Sequence, residues 1–200
     1  MQLNQTIEPD FKKAEAFILD SLKNELSSDL HYHGVHHTID VMDAAMKIAA
    51  FEKLPAANTA ILRIAVAFHD AGFIYTYQGH EEKGCEMARE FLPAFGFNKN
   101  QIDLICSMIM ATKIPQNAKT ILEKIICDAD LDYLGRDDVQ DIAQTLYEEL
   151  KLHSKVKDER SWDETQIHFL RNHHYHTAYS AKYRSGNKHA YLEALVKKWE

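Results

Sequence analysis

The stretch Ile61-Leu-Arg-Ile-Ala-Val-Ala-Phe-His-Asp70 decides the fold class. On a wheel of about 100° per residue, Ile61, Leu62, Ile64, Ala65, Val66, Ala67 and Phe68 surround the axis. A helix that is apolar all round is a buried helix. This one closes on His69-Asp70, with His69 on the side of Leu62 and Ala65. Burying an imidazole and a carboxylate is costly unless they pair or bind a metal. Arg63 shares a side with Asp70, and the dipeptide taken alone favours a plain ion pair between them.

The segments on either side repeat with a helical period. Pro9 and Asp10 open a first helix that puts Phe11, Ala14, Phe17, Ile18 and Leu22 on one face. A His-rich link, residues 30–37, leads into a second helix carrying Ile39, Met42, Met46 and Ala49. Pro55 breaks the chain before the buried helix, expected over 57–71. Gly72 and Gly79 bracket an aromatic loop, and further helices are expected at 80–92, 99–112, 118–134, 137–153, 161–183 and 188–198. Pro93, Gly96, Pro115, Gly135, the charged stretch 155–160 and Gly186 mark the breaks. No strand alternation, internal repeat or long linker interrupts this pattern, so residues 1–200 are expected to form a single all-α domain.

Composition narrows the function. Of 200 residues, 46% are hydrophobic and 26% charged, the profile of a folded chain, and 7 Gly with 4 Pro are too few for the turns of a β-sandwich. With 30 acidic against 23 basic residues, net −7, neither a nucleic acid nor a membrane is expected as partner. The opening MQLNQTIEPDFKKAEAF has no apolar core of a signal peptide. Cys85, Cys106 and Cys127 are widely spaced without a CxxC, which reads as reduced thiols in a cytoplasmic protein.

Twelve histidines are the compositional oddity. His33 and His37 are spaced i, i+4, with His36 close to the same face if the helix already begins there. Clustered imidazoles repel when protonated, so neutral rings serving as ligands are favoured. A third element, residues 125–135, carries Asp128 and Asp130 at opposite edges of the face set by Ile121, Leu122, Ile125 and Ile126; periodicity does not choose between them. Asp132, Asp137, Asp138 and Asp141 read as solvated or helix-start charges. Two His and two Asp form a mixed nitrogen and oxygen set suited to a divalent ion such as Mn, Fe, Co, Ni or Zn, and the absence of thiolate argues against a structural zinc finger.

His37 near a helix start, His69-Asp70 ending a buried helix, and the late Ala-Asp130 resemble the HD-domain superfamily of metal-dependent phosphohydrolases. The resemblance spans residues 30–135 or so, with the helices of 137–198 fitting loosely. It implies an HD/phosphodiesterase-like helical bundle binding one or two divalent ions (Mg included) through His37, His69, Asp70 and Asp130. The Tyr32-His-Gly-Val-His-His37 stretch resembles the YHNxxH motif of cyclic-nucleotide phosphodiesterases, with Gly34 in place of Asn, and implies a proton-donor role for His33. Two-metal relatives often add two histidines; His80 matches the first place, while Thr112 stands near the second, which favours one metal.

The function expected is hydrolysis of a phosphate ester by metal-activated water. Asp70 would orient the water, His33 or His80 would protonate the leaving oxygen, and Lys83 or Lys113 would hold phosphate, though both lysines also read as ordinary solvated charges. A small phosphorylated substrate is expected, nucleotides first, with the loop Phe73–Tyr77 either stacking a base or packing on the core. A di-iron oxygenase, a non-catalytic metal and nucleotide sensor, and a plain helical scaffold are the rival readings. His173-His-Tyr-His176 reads as surface or packing; Trp162, Phe169, Leu170, Tyr179 and Tyr183 as core contacts; and residues 137–150 as an outer helix without chemistry. A homodimer through the C-terminal helices is one possible assembly.

Overall fold

The computed structural model describes residues 8–200, and the first seven residues of the opening stretch read for a signal peptide lie outside them. Within that range the chain forms ten α-helices and no strand, an all-α fold. They are α1 (Phe11–Glu25), α2 (Val35–Phe51), α3 (Ala56–Phe68), α4 (His80–Phe91), α5 (Lys99–Thr112), α6 (Ile121–Asp130), α7 (Val139–Leu152), α8 (Glu159–Asn172), α9 (Ala178–Tyr183) and α10 (Ser185–Lys198). None is long and apolar enough to cross a membrane.

Helix α3 is the axis of the main core. It packs against α1, α2, α5 and α6, and Leu62, Ile64, Ala65, Val66, Ala67 and Phe68 have no exposed surface. Every face is therefore covered by protein, as the all-round apolar pattern requires. Arg63 does not reach for Asp70; its guanidinium donates to Glu15 of α1 at 2.5 and 2.8 Å. Local signals set the ends. Asp10 accepts the Lys13 amide at 3.0 Å to start α1, and Thr120 with Glu123 forms a reciprocal cap that starts α6 at Ile121 instead of the expected 118. The three thiols are free and buried.

A second cluster, built from α7, α8, α10 and the turn Asp132–Gly135, lies beyond α6 and includes Tyr32, Leu134, Trp162, Leu170 and Tyr191. Three expectations change here. The helix expected over 161–183 breaks at His173–Thr177, because the backbone of that link is committed to Asp128, as described below. Asp132 is not a solvated charge: it is 3% exposed and accepts the Arg184 guanidinium at 2.7 Å. A Cβ at Gly135 would sit 2.4 Å from the Arg184 carbonyl oxygen, so glycine lets α10 close on this turn. Gly186, expected as a break, falls inside the first turn of α10.

Candidate metal centre

Four side chains from three helices converge at one end of α3. His37 stands in the first turn of α2, His69 and Asp70 follow the last turn of α3, and Asp130 is the last residue of α6. His37, His69 and Asp70 each offer one ligand atom, all within 4.8 Å of one another. His37 Nε2 lies 3.1 Å from Asp130 Oδ1 and 3.5 Å from Asp70 Oδ2; His69 Nε2 lies 3.2 Å from Asp70 Oδ2 and 3.5 Å from Asp130 Oδ1.

The arrangement fits a divalent cation. His69 donates through Nδ1–H to the Val66 carbonyl at 2.7 Å, which leaves the Nε2 lone pair facing the carboxylates. That Nε2 atom and Asp70 Oδ2 are buried and make no hydrogen bond. Burial pushes both Asp70 and Asp130 towards the neutral form, but the neighbouring imidazoles outweigh it; Asp70 is held far below the usual carboxylate range and Asp130 at about 2. Burial likewise pushes His69 down, and the carboxylates lift it instead. Two ionised carboxylates beside imidazole nitrogens, with no lysine or arginine among the residues lining the adjoining cavity, are a donor set that a metal ion neutralises.

The structure separates the two aspartates that periodicity leaves open. Asp130 faces the imidazoles. Asp128 is fully buried on another face of α6, where its carboxylate accepts the His176 and Thr177 amides at 2.8 Å each and the Thr177 hydroxyl at 2.7 Å. It fastens the C-terminal link to α6.

Beside the centre, His33 precedes α2 and is held from outside the motif. Its Nδ1–H donates to Glu149 Oε1 at 2.5 Å, while the Tyr32 and His33 amides donate to Glu149 Oε2 at 2.9 and 3.0 Å, and the Tyr77 hydroxyl to Oε1 at 2.9 Å. Glu149 comes from α7, which the sequence reads as an outer helix without chemistry; that reading is corrected here. A signal was present: Glu149 falls at i, i+4, i+7 with Ile142 and Leu146 on the apolar stripe, where an unpaired carboxylate does not belong. Burial pushes the Glu149 carboxyl up, but His33 and the two amides bring it down to about 2; the same bond lifts His33 against its own burial.

The rings of His33 and His80 both stack on Phe73, with centroids 4.3 and 3.9 Å from it. Phe73 and Tyr77 thus pack on the site's histidines, Tyr77 also stacking on His153 at 4.0 Å. His80 Nε2 is 3.6 Å from Asp70 Oδ1. A Cβ at Gly72 would lie 2.0 Å from the His80 carbonyl oxygen, so glycine is what allows α4 to start this close to Asp70.

A cavity of about 410 Å³ opens from this centre, within the range of small-molecule sites. His33, Asp70, His80, Glu81, Thr112 and Asp130 supply its polar wall. The structure brings neither proposed phosphate-holding lysine to it. Lys83 pairs with Glu86 at 2.9 Å and Lys113 with Glu82, both on the surface. Thr112 gives its hydroxyl to the Ile109 carbonyl at 2.8 Å. In the C-terminal cluster, burial and the Lys188 ammonium push His173 down to about 3, and Lys188 lies 3.2 Å from its Nδ1, a packing arrangement.

No curated protein matches the chain. Its fold is similar to that of a protein described as a predicted HD superfamily hydrolase from an uncultured Thermotogales bacterium: TM-score 0.60, 22% identity, covering 96% of this chain and 91% of that one. The HD domain family model matches residues 34–132, the segment that contains His37, His69, Asp70 and Asp130. On that match, residues 34–132 belong to the HD-domain superfamily.

Proposed function

We propose that this protein is a metal-dependent phosphohydrolase acting on a small phosphorylated molecule, with one divalent ion held by His37, His69, Asp70 and Asp130. The observation that carries the reading is the buried, unbonded pair of His69 Nε2 and Asp70 Oδ2 beside a second carboxylate. The fold's similarity to a protein described as a predicted hydrolase agrees with it. Thr112, its hydroxyl already given to Ile109, supports one ion over two.

A divalent ion at such a site supplies a Lewis acid that polarises a phosphoryl oxygen and acidifies water. The chain's own residues do the rest. Asp70 has its Oδ1 on the His80 side, where it orients the attacking water against phosphorus. His33 is fixed by Glu149 through Nδ1, and in the imidazolium form that the Glu149 carboxylate favours, Nε2–H is the free donor. The water gives up one proton to solvent and its oxygen bonds to phosphorus as the bond from phosphorus to the ester oxygen breaks; the departing oxygen takes the proton from His33, which regains one from solvent. His80, also lining the cavity, is the second candidate for that transfer.

The test is metal content by elemental analysis, paired with phosphate release from a panel of nucleotides and a generic aryl phosphate, for the native protein and for His69→Ala. About one ion per chain, lost with the substitution together with phosphate release, is the expected result. No ion after reconstitution with Mn, Fe, Co, Ni, Zn or Mg overturns the site, and two irons without phosphate release favour an oxygenase.

A further inference from the structure

The wall opposite the carboxylates is of a different kind. Leu134, Leu146, Leu150, Trp162, Phe169 and Leu170, from the Asp132–Gly135 turn, α7 and α8, line it with apolar side chains. Two of the polar side chains on that wall are already partnered. Gln166 donates through Nε2 to Asp163 at 3.0 Å and accepts the Tyr191 hydroxyl at 2.7 Å, while Thr165 donates to the Ser161 carbonyl at 2.8 Å. A nucleobase or a sugar would leave most of its donors and acceptors facing carbon there, which a buried polar group does not tolerate cheaply. The absence of lysine and arginine from the lining also leaves nothing to balance a second or third phosphoryl group.

We propose that the group esterified to the phosphoryl is apolar: the ligand class of this cavity is a phosphomonoester of an alkyl or aryl alcohol, its phosphoryl end at the His and Asp wall and its carbon end against α7 and α8. The phosphoryl end rests on the phosphohydrolase reading above; the apolar end rests on the lining alone. A diester is disfavoured because one apolar chamber adjoins the centre. Each methylene that enters such a chamber is worth about 0.8 kcal/mol, a factor of about four.

Two measurements on the full chain loaded with Mn²⁺ test this and keep the two readings apart. The first is phosphate release from ethyl, butyl, hexyl and octyl phosphate, from phenyl and naphthyl phosphate, and from adenosine and guanosine monophosphate. The second is calorimetric binding of the matching alkylphosphonates, which cannot be hydrolysed. The expected result is a rise of about fourfold in kcat/KM and in affinity per added methylene until the chamber is full, with the nucleotides at least about tenfold below naphthyl phosphate. Leu146→Gln, at a half-buried position, is expected to flatten the alkyl series by raising KM more than it lowers kcat. Phosphonate affinity that climbs with chain length without turnover of any ester would uphold the apolar class and overturn the hydrolysis. A flat series, or nucleotides turned over faster than the aryl phosphates, overturns the apolar class whether or not hydrolysis stands.

Discussion

The two walls of the cavity place opposite demands on the chain. On the wall from α2, α3 and α6, Asp70 and Asp130 are charged, and each charge must be met within hydrogen-bond or coordination distance. Position there is dictated to a fraction of an ångström. On the wall from α7 and α8, Leu146, Leu150, Trp162 and Phe169 need only volume and shape, which many apolar combinations supply. Under the proposed function the first wall would carry the chemistry and the second would decide what reaches it. Glu149 joins them: it belongs to the apolar wall's helix and holds the imidazole of His33 on the charged side.

The largest expected effect contrasts two aspartates that stand two residues apart on α6. Asp130→Asn should lose bound metal and lower kcat/KM by about 100-fold or more, while the metal-free protein keeps its melting temperature. Asp128→Asn should do the reverse. Its new amide group would face three donors, from His176 and Thr177, and cost about 1–3 kcal/mol of stability with metal content kept. Elemental analysis and denaturant unfolding on both variants read the two outcomes. Metal lost from Asp128→Asn and kept by Asp130→Asn would reverse the division of labour on α6.

Next in size is Glu149→Gln. Removing the carboxylate takes away what lifts His33, so the alkaline limb of the pH–rate profile should move to lower pH, with kcat down about 100-fold and metal content unchanged. If Glu149 acts through His33, the double variant with His33→Asn should be no slower than His33→Asn alone. Additive losses would show that the two side chains act separately. The same carboxyl gives a stability signature. Its pKa falls from 4.5 to about 2 on folding, so its contribution is complete above 4.5 and is lost as pH drops towards 2. Urea midpoints measured across that window should fall less steeply in Glu149→Gln than in the native chain.

How much of this was legible follows the same division. Helix α3 and the His69-Asp70 ending are local statements: all-round apolarity demands burial, and burial makes the two polar residues conspicuous. The choice of Asp130 over Asp128 was not local. Both abut the core, and what distinguishes them is the partner each meets across the fold, an imidazole for one and the His176–Thr177 backbone for the other. Glu149 was harder still, because its partners Tyr32 and His33 lie more than a hundred residues earlier. The break of the 161–183 helix has the same origin, since the capture of residues 176 and 177 by Asp128 overrides a continuous helical pattern. The lysines failed for a different reason. Lys83 and Lys113 sit at helical positions near the site in sequence, but long exposed side chains choose their nearest carboxylates.

Those lysines provide the smallest expected effect and a sharp check on the comparison. Lys83→Ala and Lys113→Ala remove solvent-exposed partners of Glu86 and Glu82 and touch neither wall. Each should leave kcat/KM for every ester in the panel within about twofold of native, with metal content unchanged. A KM raised about tenfold by Lys113→Ala, for all phosphorylated ligands alike, would mean that the phosphoryl group enters along α4 and α5 rather than between the walls. The apolar face of α7 and α8 would then line a space the substrate does not cross. A KM change confined to the longest alkyl phosphates would instead place Lys113 at the mouth beside Ile114, which lines the cavity and is 54% exposed, and would leave the two walls in their present roles.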